Sequence, residues 1–163
     1  MDPSPISRVA HIALVTRDLQ RLAAFYREVF DAHDPYGRSP ADVARGLGFI
    51  AIGDAVVLHV FERPAGALGG VAEEDRDAPL ARGRIDHFSL EASDTEAFAA
   101  IRERLVAADA SDGAVVDFGP LISVFFVDPD GSQGEVSLTK PDGWEAPFET
   151  QPPGRQPHAG GAR

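Results

Sequence analysis

The chain has 163 residues, 44% of them hydrophobic, which suffices for one compact domain or two small fused modules with a real core. A formal net charge of −11 argues against a nucleic-acid backbone or an anionic membrane as the main partner. The absence of cysteine excludes disulfides, thiolate chemistry and cysteine-based zinc fingers. No stretch reads as a secretory signal or a transmembrane segment, so the expected location is the cytoplasm.

Residues 1–5 form an N-terminal extension, and a first module is expected over 6–61. Within it Arg8–Val15 reads as a strand, with Val9, His11, Ala13 and Val15 on one face. Asp18 is placed to cap a helix whose apolar stripe is Leu19, Leu22, Ala23, Tyr26, Val29 and Phe30. Asp34–Gly46 is rich in Pro, Gly and charge and reads as a loop with room for a short strand. Phe49–Ile52 and Ala55–Phe61 flank Gly53-Asp54, a hairpin signal. Residues 62–83, with GALGG and the acidic run Glu73-Glu74-Asp75, read as a linker.

A second module is expected over 84–138. Arg84–Glu91 is a strand, and Asp94 caps a helix burying Phe98, Ile101 and Leu105. Ala114–Phe118, Leu121–Val127 and Gly134–Leu138 are three further strands. The last two flank Asp128-Pro129-Asp130-Gly131, where Pro fixes one φ and Gly accepts a positive one. Residues 139–163 hold five Pro and four Gly from Lys140 onward and read as a disordered tail, with Trp144 and Phe148 available to dock on the body.

The two modules repeat without gaps at an offset of 76. Arg8 falls on Arg84, His11 on His87, Asp18 on Asp94, Phe49 on Phe125, Asp54 on Asp130 and His59 on Glu135. Duplication places equivalent side chains about a pseudo-twofold axis, so two groups per module are expected to converge. Three imidazoles and a carboxylate are a normal set for Zn, Ni, Co, Mn or Fe(II). His11, His87 and Glu135 are therefore candidate metal ligands. His59 is a fourth ligand, an acid/base group or a cavity wall. His33 lies at a helix end and suits a C-terminal cap, and His158 lies in the tail.

These residues resemble the vicinal oxygen chelate superfamily of glyoxalases, bleomycin-resistance proteins and extradiol dioxygenases. The resemblance is carried by HIALVTRDLQRLAAFYREVF and by FFVDPDGSQGEV, and covers roughly residues 6–138. It implies an α+β fold of two tandem βαβββ modules forming a curved mixed sheet around a cleft, with helices on the outer face. It implies His11, His87 and Glu135 as ligands of a divalent metal, His59 at the variable fourth position, and Glu135 or His59 as the proton-transferring group. The implied activity is lyase or isomerase chemistry of glyoxalase type on a small molecule with vicinal oxygens, through a metal-stabilised enediolate, in a homodimer. An Fe(II) dioxygenase and a non-catalytic small-molecule-binding protein are the alternatives. Departures are visible. His59 stands where glyoxalase I has Glu, and Phe125 where extradiol enzymes have an acid/base Tyr. Ala13 stands where fosfomycin transferases have Thr.

Overall fold

The computed structural model describes residues 10–54, 56–63, 85, 87–141, 143–145 and 147–153. The chain divides into two compact units, Met1–Gly69 and Gly70–Arg163. Of the expected linker only Glu62 and Arg63 are described; the rest of it, residues 1–5 and residues 154–163 lie outside the described residues.

The first unit runs β1 (Ile12–Thr16), α1 (Leu19–Phe30), α2 (Pro40–Arg45), β2 (Leu47–Ile52) and β3 (Val56–Glu62). Its sheet has the order β1-β3-β2, with β3 parallel to β1 and antiparallel to β2. Helix α1 starts where the Asp18 side chain accepts a hydrogen bond from the Arg21 amide. Glu62 Oε1 accepts a second from the Leu19 amide at 3.0 Å, so the end of β3 also holds the helix start. Leu19, Leu22, Phe25, Tyr26 and Val29 are buried on its inner stripe. The chain leaves the helix through Asp31 in the left-handed region, φ 55°.

The room for a short strand in Asp34–Gly46 is taken by α2 instead. Ser39 caps this helix reciprocally with Asp42, Pro40 occupies its first turn, and Gly46 closes it at φ 63°. Those residues oppose an extended chain, so among the described residues this unit has three strands, with α2 before β2.

The second unit runs β4 (Phe88–Glu91), α3 (Thr95–Ala107), β5 (Val115–Asp117), β6 (Leu121–Val127), β7 (Gln133–Thr139) and β8 (Thr150–Gln151). Its sheet order is β4-β7-β6-β5-β8. Strand β8 is a correction to the expected unstructured tail: Thr150–Gln151 pairs in parallel with β5. Before it, Lys140 Nζ binds Asp117 Oδ1 at 2.6 Å and sits over the Trp144 ring, while Phe148 packs 5.5 Å from Phe98. Of the two aromatic residues expected to dock, Phe148 packs on Phe98 of α3 just ahead of this strand.

The repeat holds in register. Asp18 and Asp94 both cap helices, and Asp94 accepts from the Ala97 amide. Ile12↔Leu58 in β1–β3 becomes Phe88↔Gly134 in β4–β7. Phe49↔His59 in β2–β3 becomes Phe125↔Glu135 in β6–β7. The β6–β7 turn is held by Asp128, whose Oδ1 accepts from the amides of Asp130 and Ser132, both at 2.9 Å. Burial pushes that carboxyl up from the usual range, and the two amides oppose the shift.

Gly134 lies directly opposite Phe126, and a Cβ there would run into the Phe126 ring. Phe126 is fully buried, so the ring has nowhere to go. Gly134→Ala is expected to destabilise the protein by about 1–3 kcal/mol. The check is the urea unfolding midpoint, and a midpoint equal to the parent's would mean that the ring is free to move.

Candidate functional site

The sheet in each unit has two unlike faces. In the first unit Leu58, Val60 and Ile50 are buried on the α1 side, where a Cβ on Gly48 would strike Leu19. The opposite face carries His59 on β3, with His11 immediately before β1. Their imidazoles stack, with centroids 3.9 Å apart and planes within 2°. Phe49, directly across from His59, meets its ring edge-on at 5.2 Å, and Tyr36 meets Phe49 in the same way at 5.1 Å. Burial and the neighbouring His11 charge hold the His59 imidazole below its ordinary pKa.

In the second unit the equivalent positions hold a different pair. His87 lies immediately before β4, and its Nε2 is 3.1 Å from Glu135 Oε2. The other oxygen, Oε1, accepts a hydrogen bond from the Ser123 hydroxyl. Ser89 donates to Ser137 at 3.2 Å on the same face, and Thr139 donates to Glu91 Oε1 at 2.6 Å. Phe125, opposite Glu135, lies edge-on to His87 at 5.9 Å and to Phe118 at 6.4 Å.

The structure thus brings His11 to His59 and His87 to Glu135. Among the described residues it assembles no group of three or more His, Asp or Glu side chains as a metal site. His33 instead forms a β-bridge with Ala51 through its backbone, so its expected capping role is replaced by strand pairing. His158 lies outside the described residues.

A divalent cation sets a distance condition on these donors. Two donors on one ion with bonds of about 2.1 Å stand roughly 3.0–3.4 Å apart. The His87–Glu135 separation of 3.1 Å falls in that range, which a hydrogen bond would satisfy equally. The first pair behaves differently. Imidazole lone pairs lie in the ring plane, and two parallel rings 3.9 Å apart share no plane. One ion therefore takes a lone pair from only one of His11 and His59 as they stand. Within the second unit the spacing of His87 and Glu135 fits two ligands of one metal ion, and within the first unit one imidazole of the pair is available as a ligand.

The Ser123 hydroxyl is not signalled by the repeat or by any motif. Ser123 sits in the centre of LISVFFV and is fully buried. A lone serine within an apolar strand, twelve residues before a strand carboxylate, was the available signal.

A family model described as the glyoxalase/bleomycin resistance protein/dioxygenase superfamily matches residues 8–136. The chain belongs to that superfamily. Solved structures agree in fold. A glyoxalase/dioxygenase from Nostoc punctiforme is 21% identical with a TM-score of 0.64, over 86% of this chain and 97% of that one. A glyoxylase/bleomycin resistance protein/dioxygenase domain from Frankia sp. EAN1pec is 22% identical with a TM-score of 0.61, over 85% and 96%. A lactoylglutathione lyase from Agrobacterium tumefaciens is 24% identical with a TM-score of 0.57, over 83% and 96%. No curated protein matches the chain in sequence. Among the described residues no helix is long and apolar enough to cross a membrane.

Because the folded pKa of His59 lies below its unfolded value, the unfolded chain binds more protons as pH falls through about 6.5. Stability contributed by neutral His59 is present above that value and is lost on acidification through the folded pKa. His59→Phe is expected to flatten this part of the stability–pH curve. Urea midpoints between pH 7.5 and 5 would show it, and a parallel fall in variant and parent would assign the slope to other groups.

Proposed function

We propose that the chain is a divalent-metal-dependent enzyme acting on a small molecule with two vicinal oxygens, by lyase or isomerase chemistry of glyoxalase type. One observation carries this reading. Both units place a pair of metal-competent side chains at the same two positions, on the sheet face turned away from the helix, in matched strand register. His11, His87 and Glu135 would hold the cation, with His59 beside them. When bound, the cation supplies Lewis-acid polarisation of the substrate oxygens.

The chain's own groups supply the rest. His59, held neutral by burial and by its neighbour, has a free-base ring nitrogen at pH 7 that accepts a proton from a carbon next to a carbonyl. Returning that proton to the adjacent carbon completes an isomerisation with no net change in charge. Glu135 is gripped at both oxygens, which orients it as ligand or as the alternative base. Phe49 and Phe125 line the same faces and keep water off the reacting groups. Superfamily membership supports a small-molecule substrate, and a homodimer is the proposed assembly, measurable by sedimentation.

The two-His, one-carboxylate composition of His11, His87 and Glu135 also suits an Fe(II) dioxygenase. Metal analysis separates the readings. Bound iron with oxygen consumption favours the dioxygenase, whereas Ni, Co or Zn with substrate isomerisation favours the lyase or isomerase. A chain that neither carries nor takes up metal would sink both and leave a small-molecule-binding protein.

Under this proposal His87→Ala is expected to abolish metal uptake, and His59→Ala to weaken it modestly, by less than about tenfold. Calorimetric titration with Zn or Co would measure both. Unchanged stoichiometry in His87→Ala would refute the ligand assignment. A chelator is expected to remove activity, and the same divalent ion to restore it.

A further inference from the structure

We infer that Ser123 is a positioning residue that fixes the Glu135 carboxylate, engaging Oε1 so that Oε2 is presented to His87. The inference rests on the proposed function only where it concerns metal; its geometric part stands alone. Ser123 lies on β6, directly opposite Ser137 and diagonal to Glu135 on β7. Its side chain is fully buried, and its hydroxyl donates to Oε1. Oε2 meets His87 Nε2. The two oxygens of one carboxylate therefore have different partners, one on β6 and one just ahead of β4.

This division matters because the terminal torsion of a glutamate is broad and roughly two-fold. A carboxylate held at one oxygen turns about that contact, while one held at both does not. With Oε1 engaged, a ligand of the pair meets a single oxygen, Oε2. A hydroxyl at this place is not required by the fold. The equivalent residue of the first unit is Leu47, opposite Phe61, in the same ladder. There the backbone carries an apolar side chain, and the adjacent polar position holds His59 instead of a carboxylate. A buried hydroxyl without an acceptor is unfavourable, so serine here makes sense through its bond to Glu135. Ser137 and Ser89, bonded to each other, leave Ser123 as the hydroxyl directed to the carboxylate.

The test uses the full-length chain with Ser123→Ala and Ser123→Thr. In metal-free protein at fixed pH, Ser123→Ala is expected to shift or broaden the ring ¹⁵N signals of His87, as Oε2 loses its fixed place. Ser123→Thr, which keeps the hydroxyl, is expected to restore them. In a Co(II) titration Ser123→Ala is expected to bind about 10–100-fold more weakly than the parent, with an altered visible absorption as Oε1 becomes free to join the ion. Unchanged His87 signals together with parental Co(II) affinity and absorption would overturn the inference. If the parent takes up no Co(II), the metal reading falls, and the His87 signals alone decide for or against Ser123. If Ser123→Ala does not fold, Ser123→Cys, close in size and a weak donor, is held to the same expectations.

Discussion

Everything at the site depends on two parallel strand pairings, β1 with β3 in the first unit and β4 with β7 in the second. Each sets residues 46 apart side by side, Ala13 against His59 and Ser89 against Glu135. Residues separated by most of a module thereby become neighbours. Side chains in a strand alternate with a period of two, so a slip of one residue would exchange the faces. Leu58 would then point away from α1 and His59 into the helix-packed core. Burying Leu58, Val60, Val136 and Leu138 against the helix side is therefore what places His59 and Glu135 on the other side. At about 25 cal/mol per Å² of apolar surface, several buried aliphatic side chains make the slipped register unfavourable by many kcal/mol. The turn at Asp128 and the hairpin at Gly53-Asp54 then set the antiparallel partner, which brings Phe125 and Phe49 across from the polar residue.

On this shared backbone the two units carry opposite chemistry. Around the imidazole pair the first unit has Ala13, Val15, Leu47, Val57 and Phe61. The equivalent positions of the second unit are Ser89, Glu91, Ser123, Gln133 and Ser137. The difference follows from what each central group requires. A half-buried carboxylate needs donors, and Ser123 and His87 supply them. An imidazole packs against other rings, and Phe49 and His11 supply those contacts. The apolar surroundings also explain why His59 resists protonation: a charge there would be poorly solvated and would face His11. One unit is thus suited to a neutral base or ligand, and the other to an anchored anion.

Much of this was legible in the sequence because the duplication is written there without gaps. The offset of 76 between His11 and His87 and between His59 and Glu135 implies equal registers in the two units. The turn motif DPDG and the two caps, Asp18 and Asp94, fixed the elements between. Three features did not follow. Helix α2 was signalled by Ser39-Pro40 and Asp42, but turn-rich composition masked a six-residue helix. Strand β8 depends on tertiary contacts of Lys140 and Phe148 that no local pattern encodes. The link from Ser123 to Glu135 crosses two strands diagonally, and serine alone carries no direction.

The stacked imidazoles narrow the role of His59. If His11 and His59 both served one cation, their ring planes would have to intersect at the ion, whereas they lie within 2° of parallel. A ring would have to turn out of the stack, and His59 would then lose its contact with Phe49 as well. His11 is exposed and sits ahead of β1, where rotation disturbs little; His59 is half-buried within β3. The less costly arrangement leaves His59 in place and lets His11 turn its lone pair toward a ligand. In the proposed enzyme His11 is then the member of this pair that would serve as a ligand. His59 stays uncoordinated, and its depressed pKa makes it a base that is unprotonated at neutral pH. The position occupied by Glu in glyoxalase I would here keep the proton-accepting task while giving up the ligand task.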